Sequence, residues 1–152
     1  MAIDIEREII SFEESIRGVM RAVEACVSLL VDTEDDNLRY FLAERIPSLG
    51  TAALPKLLEI IRAPGNPIDV DYLAAWSALR LGDRGIAVDV LVREIRRGGK
   101  WSLPAANALG RNHDRLTGEQ LREVAEAVGQ QGRGKVMGSR GSGRDDGSDF
   151  NQ

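Results

Sequence analysis

One cysteine, one histidine and few aromatic side chains set the first limits on this chain. Cys26 alone cannot form an intramolecular disulfide, so a disulfide framework is excluded and a reducing, cytoplasmic setting is expected. Its place in an apolar helical pattern makes it a small buried hydrophobe. His113 follows Gly110-Arg111-Asn112 with Asp114 beside it, which reads as a turn, and no Cys/His cluster has ligand spacing, so neither a metal nor a cofactor is expected. Glu34, Asp35 and Asp36 lack the spaced ligands and glycine of a calcium loop; helix capping accounts for them. Serine nucleophile elbows and phosphate loops are missing too. No apolar run approaches the roughly 20 residues of a membrane span. The first six residues, with Asp4 and Glu6, are acidic where a secretory signal would be basic. An enzyme is therefore not the first expectation.

Aromatics make up only 5% of the 152 residues, so Ala, Leu, Val and Ile must fill the core, which favours closely packed helices over a sandwich. The net charge of −4 argues against a generic nucleic-acid binder. Its distribution is uneven. Residues 1–36 hold ten acidic and three basic residues, net −7, whereas residues 37–128 hold thirteen basic and eleven acidic, net +2.

Apolar spacing predicts helices throughout. Ile9, Phe12, Ile16, Val19, Val23, Val27 and Leu30 recur three or four apart over residues 4–31, on one stripe expected to be buried. Ser11 with Glu14 resembles a capping box, which would divide this segment into two helices. Three helix pairs follow, over 33–63, 69–97 and 101–128. Leu38, Phe41, Leu42 and Ile46 are expected inward in the first pair, then Leu54, Leu57, Leu58 and Ile61. Val88, Leu91, Val92 and Ile95 form the apolar face of the second pair's second helix, and Leu121, Val124, Ala125 and Val128 that of the third's. Asp83 and the Thr117/Gln120 box can cap, and Gly98-Gly99 stops a helix. Residues 129–152 carry seven glycines and little apolar content, so they read as a disordered, flexible tail.

The pairs repeat. Leu49, Leu79 and Leu109 are thirty residues apart, as are Leu73 and Leu103, or Ala75 and Ala105. A period in this range marks a solenoid, in which stacking covers the apolar face that one pair leaves open. Ser48-Leu49-Gly50, Ala108-Leu109-Gly110, the helix opening Thr51-Ala52-Ala53-Leu54-Pro55-Lys56-Leu57 and Leu38-Arg39 resemble the HEAT repeat, in particular the short HEAT-like variety named after phycobilisome lyases. Tyr72 and Trp76 are bulkier than that pattern, and the third pair lacks its acidic-plus-Arg start. The resemblance implies an all-α fold, a HEAT-like right-handed superhelix over residues 1–128 with an N-terminal helical cap at 1–32. Second helices of such repeats line the concave face.

The sharpest local feature is Arg93, Arg96, Arg97 and Lys100 beside Trp101; the spacing puts the cations on one face near a helix end. With Lys56, Arg62 and Arg122 they form the expected partner-binding surface. Small HEAT-like proteins of bacterial type resemble adaptors and toxin-neutralising immunity proteins, so a non-catalytic module holding a protein partner is the leading expectation. Two alternatives remain: a bilin lyase or isomerase subunit, as the resemblance implies, and nucleic-acid or phosphate binding through the basic patch.

Overall fold

A computed structural model describes residues 4–139, with side chains through residue 132. Seven α-helices and no strand occur among them, so the all-α expectation holds. The helices are α1 (Ile5–Asp32), α2 (Asp36–Arg45), α3 (Leu54–Arg62), α4 (Ile68–Arg80), α5 (Ile86–Arg97), α6 (Ser102–Arg111) and α7 (Gly118–Ser139). From α2 onward the helices fall in the stretches that the sequence predicts as helical. Contacts divide the chain into two compact units, Met1–Val90 and Leu91–Gln152.

In the first unit α1 is one continuous helix. Asp4 caps it, its carboxylate accepting from Arg7 N at 3.3 Å. Ser11 caps nothing; it is internal, and its carbonyl accepts the Ser15 hydroxyl at 2.9 Å. Only the last part of the predicted stripe is buried: Val23, Val27 and Leu30 enter the core, while Ile9, Phe12, Ile16 and Val19 are exposed. The reason is length. At 28 residues α1 runs about 42 Å, against about 15 Å for each of α2 and α3, at 10 and 9 residues. Its neighbours end before its first half is covered.

The turn after α1 is built by side chains. Asp35 caps α2, accepting from Asn37 N at 3.0 Å and Leu38 N at 3.3 Å. Arg39 is buried and turns back: Nε donates to Leu30 O at 3.2 Å, Nη2 to Thr33 O, and Nη1 lies 3.6 Å from Asp36. A cation thus satisfies carbonyls left open at the end of α1. Phe41, expected inward, is half exposed beneath the Arg45 guanidinium at 5.0 Å. In α3, Leu57 and Ile60 are the buried positions, so the packed face is rotated slightly from the predicted one.

α4 packs on both α2 and α3 and is buried around most of its circumference. Ala74, Ala75 and Ala78 make this possible, because short side chains let helix backbones approach. Ser77 belongs to the same set, and its hydroxyl donates to Ala43 O in α2. Arg80 Nη1 adds a bond to Glu44 O at 2.9 Å.

In the second unit α5 ends at Gly98, whose φ of +69° suits glycine. Leu91, Val92 and Ile95 are buried as expected. The Thr117/Gln120 box forms reciprocally, at 3.0 and 3.1 Å. Two expectations fail in α7. Its buried residue is Ala127, whereas Leu121, Ala125 and Val128 are exposed; the small side chain lies on the packed side. The predicted tail is helical from Gly129 to Ser139. Gln131 Nε2 donates to Arg96 O at 2.9 Å and ties the start of this stretch to the end of α5. Residues 140–152 of the expected tail lie outside the described residues.

Replacing Arg39 by Leu should cost about 2–3 kcal/mol in urea unfolding, since two carbonyls lose a charged donor. A loss below about 0.5 kcal/mol, the ordinary surface range, would show the clamp to be dispensable.

Candidate functional site

The eight predicted partner-binding residues divide between the units. Lys56 and Arg62 belong to the first; Arg93, Arg96, Arg97, Lys100, Trp101 and Arg122 belong to the second.

Lys56 does not present a free cation on a basic surface. Its Nζ lies 3.7 Å from Glu59 Oε2. Both line an open cleft of about 350 Å³ together with Glu24, Val27, Asp32 and Ile60. Three carboxylates and one ammonium make this cleft acidic. Arg62 is exposed in the last turn of α3, where the helix dipole favours a cation.

The second unit changes the predicted cluster in two ways. Arg97 is committed to Glu94: Nε and Nη2 reach the two carboxylate oxygens at 3.0 and 2.9 Å. The Glu94 side chain is only 3% exposed and that of Arg97 47%, so this pair lies half inside the fold. A Cβ on Gly99 would overlap Glu94 Oε1 and Arg97 Nη2, so glycine makes the room for it. Secondly, Lys100 lies beyond the end of α5, so helical spacing does not place it beside Arg93. It stands over the Trp101 ring at 5.2 Å instead. Trp101 is half-buried at the start of α6, and Arg122 is exposed on α7. Arg93 and Arg96 are the exposed arginines of α5 with no ion pair among the described residues.

Beside this helix end lies an apolar groove of about 190 Å³, lined by Ile95, Ser102, Leu103, Ala106, Val128, Gln131 and Gly132. Leu103 is 68% exposed and Val128 43%. Gln131, bonded to Arg96 O, joins the groove to the basic end of α5. Sequence reading missed this groove because it assigned Val128 to the core. The Glu94–Arg97 pair was legible: a carboxylate within the stripe Leu91, Val92, Ile95 needs a cation, and Arg97 is three residues on.

Other candidates resolve into structure. Trp76 stacks on Tyr40 with centroids 5.6 Å apart and carries Arg80 at 5.3 Å. His113 is exposed in a short 3-10 turn, with Nδ1 2.9 Å from Gly110 O. Cys26 is half-buried. No group of three or more His, Cys, Asp or Glu side chains among the described residues could hold a metal. Nor is any helix there long and apolar enough to cross a membrane.

No family model matches the chain, and neither does any curated protein or solved structure.

The three arginines of α5 should separate by role. Arg97→Ala strands a buried carboxylate and should cost about 2–3 kcal/mol of stability. Arg93→Ala and Arg96→Ala should each stay within about 0.5 kcal/mol. Equal losses at all three positions in denaturant melts would contradict this division.

Proposed function

We propose that the chain is a non-catalytic protein-binding module whose helix pairs stack as a HEAT-like right-handed superhelix, and that it acts as an adaptor, regulator or immunity-type inhibitor. The three consecutive pairs and their thirty-residue spacing support the architecture. One observation carries the function: an apolar groove with Leu103 and Val128 exposed is joined through Gln131 to the Arg96 carbonyl at the end of α5, the helix that also displays the Arg93 and Arg96 side chains. An apolar centre with a polar rim is the usual anatomy of a protein interface, and arginine is among the residues enriched there. Arginine suits that rim, because its planar fork pairs with carboxylates and loses little freedom on doing so.

The partner that fits presents an apolar side chain for the groove and carboxylates for the two arginines. Its binding would occlude whatever surface that partner uses, with charge complementarity setting the encounter rate. The basic-patch reading for nucleic acid is weakened by the loss of Arg97 to Glu94 and by the net charge of −4.

Affinity capture from the native host, followed by titration of the recovered protein, tests this reading. The wild-type chain should recover a stoichiometric protein partner. Leu103→Glu with Val128→Glu should abolish binding, and Arg93→Ala with Arg96→Ala should weaken it by about tenfold or more. A complex indifferent to both pairs of changes, or an oligonucleotide bound with a steep salt dependence, would overturn it.

A further inference from the structure

The first half of α1 carries a second surface, of opposite polarity. Ile5, Ile9, Phe12, Ile16 and Val19 are spaced four, three, four and three residues apart. That is a two-in-seven seam, the pattern by which one helix packs along another. Phe12 is 68% exposed, Ile9 52% and Ile16 46%, and every residue from Asp4 to Arg21 is exposed. The same stripe, continued to Val23 and Val27, is the part of α1 that packs into its own unit. The seam is therefore a working packing surface that runs beyond the neighbours available to it.

Charge identifies what would cover it. At about 100° per residue, Glu6 and Glu13 border one side of the seam and Glu8 the other. Arg7 and Arg21 fall on the opposite face, and Arg17 leans onto Glu13 at 3.5 Å from outside the seam. A second copy of this chain is a poor occupant. Parallel pairing would set Glu8 of one copy near Glu13 of the other, and either orientation sets glutamate borders against glutamate borders, in segments (residues 4–21) of net −2 each. An anionic membrane is a poor occupant for the same reason; surface-binding helices flank their apolar face with Lys and Arg.

We infer that the exposed half of α1 is a docking surface for an amphipathic helix of a partner protein whose apolar seam is flanked by Lys or Arg. It pairs apolar seam with apolar seam and sets basic flanks against Glu6, Glu8 and Glu13. This surface shares no residue with the groove of the second unit, so either can fail without the other.

Two synthetic three-heptad peptides test it against the full chain. Both carry Ile at a and Leu at d; one has Lys at every e and g position, the other Glu. The Lys peptide should bind at least about tenfold more tightly than the Glu peptide in anisotropy titrations, with the gap narrowing at high salt. Changing Ile9, Phe12 and Ile16 together to Ala should remove that binding. Helix content and melting temperature should hold, because these side chains are exposed and Ala favours helix. As a second variant, Glu6→Lys with Glu8→Lys and Glu13→Lys should reverse the preference between the peptides. Equal binding of the two peptides, no binding of either, or binding only to phosphatidylserine-containing vesicles would overturn the inference. So would a wild-type dimer that the triple Ala variant converts to monomer.

Discussion

The fold of the first unit depends on how the end of α1 is satisfied. A helix leaves its last carbonyls without partners, and here they meet the buried guanidinium of Arg39. Burying that cation is tolerable only because two backbone oxygens and the Asp36 carboxylate surround it. The bonds fix the direction of α2 relative to α1 across a three-residue turn. α4 then packs on α2 through alanines and the Ser77 hydroxyl, and α3 packs on α4. α1 also packs directly on α3, so the Arg39 clamp and this packing together seat α1 in the unit.

That clamp also explains why part of α1 stays open. It anchors the helix by its C-terminal half, where Val23, Val27 and Leu30 are buried. The short helices that follow cannot reach the other half. What is left uncovered is an apolar seam with acidic borders. The second unit offers a contrasting surface, an apolar groove tied through Gln131 to the basic end of α5. The Glu94–Arg97 pair takes one cation out of that surface and places it in the service of stability.

The features legible in the sequence were local ones. Caps at Asp35 and Asp83 and the Thr117/Gln120 box form as their spacing predicts, because each needs only residues a few positions away. The helices from α2 onward and the Gly98 stop were readable for the same reason. What covers an apolar stripe was not readable. Ile9 and Val23 share a face and a periodicity, yet one is in solvent and the other in the core; the difference lies in the lengths of α2 and α3. Val128 and Leu121 were misassigned similarly, since Ala127 serves as the packed residue of α7. The glycine-rich composition after Gly129 suggests a flexible tail, but the helix runs on to Ser139, with a tertiary bond from Gln131 to Arg96 near the start of that stretch. Among the site residues, Arg93 and Arg96 remain on display, whereas Arg97 and Lys56 are paired with acids that the sequence placed three residues away.

The central claim is that α1 is one helix with an anchored half and a displayed half. Amide hydrogen exchange on the free chain addresses it directly. Protection at Val23, Val27 and Leu30 should approach that of the α4 core, because opening them requires the unit to unfold. Amides of residues 9–20 should exchange orders of magnitude faster, through local fraying of a helix that nothing covers. Equal protection along the whole of α1 in the isolated monomer would contradict the account.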